Sequence, residues 1–312
     1  MQELIRLRQA ATALQRQAQM KSLAPMSGGS VSRKLGRGLE FAEVREYQPG
    51  DDVRMIDWKV TARSGKAHTK LFVEERERPV LLLVDLRGAM RFGTRGVFKS
   101  VLASRLAALL GWCSVSAHDR VGGFVFTDDW HREIRPQSGR RGLMSLFQAM
   151  HQGEERESVP AGEQLTRSLS RLRHSVHAGS TVVLLSDFSG FNDKARDAIG
   201  SVLHTMDIIA IHISDPLEQQ LPRPGLYPIV AGSLAKARPS MLSIHSNEQR
   251  ERYEQRFNAR QMDLKALFAH QRHQYYSVST AQPLMSGAAS ILSRKPMDTG
   301  SATSSRVANE RD

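Results

Sequence analysis

The 312 residues carry 44 Lys and Arg against 32 Asp and Glu, a net charge of +12 at pH 7, with 6% aromatic residues and one cysteine. The length suits one large domain, or one domain with a smaller appendage, and the composition is that of a folded globular chain. A single thiol, Cys113, excludes an internal disulfide framework, and so few aromatics argue against a platform for stacking single-stranded bases.

Residues 1–22 place Leu4, Leu7, Ala11 and Leu14 at helical spacing, and the linker "SLAPMSGGS" follows. This basic amphipathic helix is expected to pack on the body of the protein, with peripheral membrane contact as the alternative. It is too polar to serve as the apolar segment of a signal peptide. The longest apolar run, "SVLASRLAALLGWCSV", is broken by Arg105 and too short to span a bilayer comfortably, so a cytoplasmic protein is expected.

Residues 28–78 read as a small β-rich unit. "LEFAEVREY" and "AHTKLFVEERE" alternate as strands, and a short helix, "DVRMIDWKVTARSG", lies between them, capped by Asp51 or Asp52 and ended by Gly65. From residue 79 to 282 the pattern changes. "PVLLLVDL" and "STVVLLSDFSG" are continuous apolar runs of the kind found in strands covered on both faces. Helices are predicted over 96–117, 139–152, 161–176, 192–206 and 247–273. Strands are predicted over 119–129, 130–136 (an edge strand), 207–214 and 274–280. This alternation predicts an α/β fold with a doubly wound, mostly parallel sheet. Residues 283–312 are rich in Ser, Thr, Gly and charge, and are expected to be a disordered tail.

In such a sheet, ligands collect beyond the carboxyl ends of the strands. Asp85 and Asp187 close the two apolar runs and should emerge at one rim. Paired carboxylates there can hold a hard divalent cation, or can themselves be held by a basic side chain. The pattern resembles the von Willebrand factor A fold, whose metal-ion-dependent adhesion site reads Asp-x-Ser-x-Ser after the first strand. That site adds a Thr from a middle loop and a later Asp. In "DLRGAM", Asp85 matches, but Arg87 and Ala89 stand where the hydroxyls belong; "SGRRGL" offers Arg140 and Arg141 in place of a Thr; Asp187 matches the late Asp. The expectation is a degenerate, metal-free site in which Arg87 or Arg141 fills the space of the cation, with magnesium as the alternative occupant.

A second resemblance lies in "LEFAEVREYQPGDDVRMIDWKVTARSG" and the residues after it. Glu40, Phe41, Arg45, Tyr47, Gly50, Asp51, Arg54, Ile56, Asp57 and Trp58, then Ala62, Arg63, Glu75 and Arg76, are similar to the signature of the domain of unknown function 58 family. There the signature precedes a von Willebrand A-like domain. The resemblance covers residues 35–280 and takes in "SDPLEQQLPRPGLYPI". It implies a partnership with a MoxR-type AAA+ ATPase and other von Willebrand A proteins, as an adaptor or substrate-presenting factor.

For the motif itself two readings stand. In one, Arg45, Arg54, Arg63 and Arg76 pair with Glu43, Asp51, Asp57 and Glu75, and Trp58 roofs the unit as a structural clamp between domains. In the other, Tyr47, Trp58 and the arginines are docking anchors. Asp51 and Asp52 are adjacent on a turn, which does not bring them together on one substrate atom, so no catalytic residue is expected. Nothing in the sequence forms a Walker-type phosphate loop or a Gly-x-Ser-x-Gly elbow. A non-enzymatic protein-interaction role is therefore expected. The alternatives are a nucleic-acid binder using the basic charge and a metal-dependent hydrolase.

Overall fold

A computed structural model describes residues 1–20, 39–48, 51–74, 79–156, 163–175, 179–229, 240–269 and 273–292. The chain divides into two compact units: Ser27–Glu77, and a larger one made of Met1–Met26 with Arg78–Asp312.

In the smaller unit β1 (Leu39–Glu46) pairs antiparallel with β2 (His68–Glu74), with a register shift between Phe41 and Glu43. The segment between them is not one helix. Asp52 caps a single 3-10 turn, Val53–Met55, by accepting from Arg54 N. Ile56 then turns extended and bridges to Thr69. The α-helix proper, α2 (Trp58–Ser64), begins only after Asp57, whose carboxylate accepts from Lys59 N at 3.0 Å and Val60 N at 3.2 Å. The cap of α2 is thus Asp57, five residues after Asp52, because the bridge at Ile56 breaks the helical run. Gly65 ends α2 at φ 72°, a left-handed geometry that a side chain resists.

The larger unit is a mixed α/β body with a six-stranded sheet. Along the chain run α1 (Gln2–Met20), β3 (Val80–Asp85), α3 (Lys99–Ser116), β4 (Val121–Phe126), β5 (His131–Gln137), α4 (Arg141–Glu154), α5 (Gln164–Ser175), β6 (Thr181–Ser186), α6 (Asp193–Leu203) and β7 (Asp207–Ser214). Then come α7 (Pro216–Gln219), β8 (Gly225–Ile229), β9 (Ser240–Ile244), α8 (Asn247–Leu267), β10 (His273–Ser279) and α9 (Leu284–Leu292). The sheet order is β10-β7-β6-β3-β4-β5. Every pair is parallel except β4 with β5, so the central sheet is mostly parallel as expected.

Period-two alternation sends Val80, Leu82 and Val84 to one face of the sheet, with α3, and Leu81 and Leu83 to the other, with α5 and α6. Both faces are therefore covered, and β3 is buried along its whole length. At the centre of β4 the chain needs Gly123, where a Cβ would lie 2.5 Å from the Leu82 carbonyl oxygen. The helix α1 packs on α3, tied by Trp112 Nε1 donating to Leu4 O at 3.0 Å and Gln15 Nε2 to Cys113 O at 2.7 Å.

Two features depart from the expected layout. The tail expected to be disordered from residue 283 instead opens with α9, which buries Gly287, Ala288 and Ile291 against α3 and β10. Gly287, Ala288 and Ile291 lie on the packed side while Met285 is exposed, a short local pattern that the polar composition of the whole tail hides. Residues 293–312 lie outside the described residues. The antiparallel pair β8–β9 was not foreseen, and its short strands are mostly exposed.

Candidate functional site

Asp85 ends β3, and Ser186 ends β6 with Asp187 next in the chain. Because β3 and β6 are parallel neighbours, both carboxylates reach the same rim. Asp85 is wholly buried. Its Oδ1 accepts from Arg87 N at 3.0 Å and Arg87 Nε at 2.9 Å. Its Oδ2 accepts from Arg87 Nη2 and Ser186 Oγ, each at 2.6 Å. Arg87 extends across the gap, donating through Nη1 to Ser189 O at 3.0 Å and standing 3.5 Å from Asp187 Oδ1.

Sequence reasoning missed the second cation, Lys99. It sits in the first turn of α3, fully out of solvent, with Nζ 2.7 Å from Asp187 Oδ2 and 2.5 Å from Glu218 Oε1. Glu218 is the third residue of α7, and its Oε2 accepts from Asp215 N, closing a capping box. A lysine at the N-terminal turn of an otherwise apolar helix opposes the helix dipole, which was the available sign that it answers to a buried acid. A further carboxylate, Asp128 in the loop after β4, accepts from Gly88 N at 2.6 Å.

Charge follows from this arrangement. Burial works against ionisation of Asp187, but the charge and hydrogen bond of Lys99, then Arg87 and the Ser189 N–H, overcome it and lower its pKa to about 2. Burial also opposes the charge on Lys99, and Asp187 and Glu218 more than restore it, so its pKa is raised. Asp187 and Lys99 are therefore both charged at neutral pH, at the centre of a chain in which acid and base alternate.

A divalent cation does not fit these residues. Both oxygens of Asp85 already accept from N–H or O–H donors, and two cationic side chains stand against the carboxylates. Among the described residues, no group of three or more His, Cys, Asp or Glu could hold a metal. Of the two arginines offered for this place, Arg87 contacts both carboxylates and Arg141 contacts neither. Arg141 opens α4, exposed, at the other end of the sheet: a Cβ on the next residue, Gly142, would lie 2.0 Å from Val121 O, at the start of β4. The reason is topological. Because β5 runs antiparallel, it returns the chain to the amino ends of the parallel strands before α4 begins.

Beside the rim lies a cleft of about 270 Å³ lined by Asp187, Ser189, His212, Glu218 and, from α8, Tyr253, Arg256, Phe257 and Arg260. His212 is 4% exposed and stacks on Phe257 with ring centroids 5.9 Å apart, and its Nδ1 lies 2.8 Å from the Tyr275 hydroxyl. Burial first, and the charge of Arg260 second, lower its pKa to about 4, so it is neutral at physiological pH.

In the smaller unit the motif residues mostly serve local structure. Arg45 Nη2 meets Asp51 Oδ1 at 2.7 Å, and Asp51 Oδ2 accepts from Gln48 N. Asp52 and Asp57 are caps. Tyr47 is half-buried, while Arg54 and Arg63 are exposed. Trp58 is 69% exposed and so is not a buried part of its own unit's core. Gly50, Glu75 and Arg76 lie outside the described residues.

The family model described as protein of unknown function DUF58 matches residues 43–263. The chain belongs to that family. The match runs from the smaller unit through the rim to α8. Among curated proteins, this DUF58 chain is 29% identical to the uncharacterized protein Rv1480 of Mycobacterium tuberculosis, over 61% of its own length and 59% of that protein's. It thus spans about six tenths of the curated relatives first matched. A 44-residue stretch is 46% identical to the uncharacterized protein YeaD of Bacillus subtilis, covering 14% of this chain and 11% of that protein. Of solved structures, a conserved hypothetical protein BatB from Bacteroides thetaiotaomicron aligns over 69% of this chain and 97% of its own, at 11% identity and a TM-score of 0.40. An aerotolerance-related membrane protein from Bacteroides fragilis aligns over 69% and 96%, at 14% identity and a TM-score of 0.38. Among the described residues of this chain, no helix is long and apolar enough to cross a membrane.

Proposed function

We propose that this protein is a non-enzymatic interaction module. In this reading its larger unit is a von Willebrand A-like domain with a degenerate adhesion site, and it acts with a MoxR-type AAA+ ATPase in the assembly or maturation of other proteins. The ATPase partnership and the von Willebrand A kinship come from the resemblance of the motif and of the two rim aspartates. The observation that carries the reading is the Asp85–Arg87–Asp187–Lys99–Glu218 chain. Each carboxylate has its counter-charge within the protein, which leaves a rigid, pre-organised rim and no unengaged acid to serve as a base. A rim of this kind suits shape-specific recognition better than bond-making chemistry.

The test is affinity capture of the tagged chain from its native host, with co-purifying proteins identified by mass spectrometry. Wild type is expected to retain an AAA+ ATPase. A Ser189→Arg chain is expected to lose it, since the rim's bonds to Ser189 use only its backbone N–H and carbonyl, and the new side chain adds bulk there. Nucleic acid or ribosomal proteins dominating the wild-type capture would overturn the reading.

A further inference from the structure

The cleft beside the rim is built unevenly. Its floor holds Asp187 and Glu218, both engaged by Lys99. Its α8 wall holds two arginines four residues apart, which places them on one helix face. Arg260 is committed, since its Nη2 donates to the carbonyl of Phe188. Arg256 has no hydrogen bond or ion pair among the described residues, and neither has the Tyr253 hydroxyl one turn before it. The ring of Phe257, stacked on neutral His212, lines the same cleft. Among the described residues the cleft therefore offers a guanidinium and a phenol with no hydrogen-bond partner and an apolar ring, next to carboxylates that already have their counter-charges.

We infer that this cleft is an anchor pocket for a single acidic side chain, an Asp or Glu in an exposed segment of a partner protein, gripped by Arg256 and flanked by Tyr253 and Phe257. A guanidinium fork matches a carboxylate in two parallel hydrogen bonds, and an Arg set beside aromatic rings is the composition of an interface hot spot. Both floor carboxylates are countered by Lys99, so the ligand left to the cleft is one anionic group matched to Arg256. The backbone N–H of Ser189, which a phosphate would need, already donates to Asp187. Burial and nearby Glu218 hold the Tyr253 pKa up, which keeps its hydroxyl a donor. The inference deepens the interaction role proposed above and rests on it for the identity of the ligand as part of a protein.

The test needs no partner. Amide chemical shifts of the full chain are followed while N-acetyl-glutamate N-methylamide, the corresponding glutamine amide, or inorganic phosphate is added. The expected result is saturable shifts for the glutamate probe at residues 187–190, 212 and 253–260. Binding should be about tenfold weaker for the glutamine probe and for Arg256→Gln, and unchanged for Arg141→Gln at the far end of the sheet. A dispersed spectrum from Arg256→Gln shows that the variant is folded. Equal response to the two amides, tighter binding of phosphate at the same amides, or no localised shift each overturns the pocket. If the glutamate probe fails while the ATPase is still captured, the pocket is wrong and the adaptor role stands. If the probe binds and capture fails, the reverse holds.

Discussion

Lys99 Nζ and Asp187 Oδ2 lie 2.7 Å apart with both side chains almost wholly out of solvent, joining the first turn of α3 to the end of β6. Truncation of Lys99 takes the nearest cation from both Asp187 and Glu218 and leaves Asp187 only Arg87, 3.5 Å away, in a site almost closed to water; such losses cost about 3–5 kcal/mol. Lys99→Met is therefore expected to destabilise the larger unit by about that amount in urea denaturation followed by circular dichroism. Adding Asp187→Asn to Lys99→Met should recover part of the loss. A single variant as stable as wild type would show that the pair is not buried in solution.

Acid should destabilise the protein in two stages. His212 is held near pKa 4 against an ordinary 6.5, so the unfolded chain takes up a proton that the folded chain refuses. Stability is then fully present above about pH 6.5 and falls as the pH drops towards 4. The loss is about 3 kcal/mol, at about 1.4 kcal/mol per pH unit for one proton. Asp187, held near 2 against 3.8, adds a further loss as the pH falls from about 4 through 2. In His212→Phe the upper stage should vanish while the lower stays. Persistence of both would mean that another group carries the first.

Magnesium should leave thermal stability unchanged. A ligand that binds only the folded state raises the melting temperature once its concentration exceeds its Kd, by an amount that grows with the logarithm of their ratio, and this rim presents its carboxylates already engaged by Arg87, Lys99 and Ser186. Melting curves with millimolar magnesium and with chelator are expected to superimpose. A rise with magnesium would mean that Arg87 swings away to admit the ion.

In the smaller unit, two neighbouring residues should separate cleanly. Asp57→Ala removes the cap of α2 and is expected to cost about 1 kcal/mol, read as faster amide exchange over residues 58–64. Trp58→Ala removes a side chain that is 69% exposed and is expected to change stability by about 0.5 kcal/mol or less. A large cost for Trp58→Ala would place the ring in a packed contact and favour the clamp reading of the motif over the docking one.

The sequence made the central strands readable because β3 and β6 are continuous apolar runs. Asp85, the last residue of β3, and Asp187, the residue just after β6, are acids that such apolar runs would not otherwise carry. Arg87 was within reach because it is two residues from Asp85. Lys99 offered only the faint sign of a cation at a helix N-terminus, since one lysine in a long helix normally faces solvent, and the burial of most of α3 shows that this one does not. Arg141, the alternative to Arg87, could not be separated from it for a similar reason: whether a loop lies at the upper or lower rim depends on the direction of β5, and local pattern is silent on direction. Glu218 and Arg256 come from segments far along the chain, brought to the rim by α7 and α8, and periodicity alone carries no sign of that meeting.

The first helix lies on α3, yet the next segment of the chain, Ser27–Glu77, belongs to a different unit before the backbone returns at β3. The smaller unit is thus spliced into the larger one and leashed at both ends. A protease that severed the chain between Met20 and Leu39 would release neither piece: α1 would stay in its seat through Leu4, Ala11 and Leu14, and the smaller unit would stay joined to β3. Two separately made fragments, one ending after α1 and one beginning at β1, should for the same reason find each other and reconstitute the larger fold.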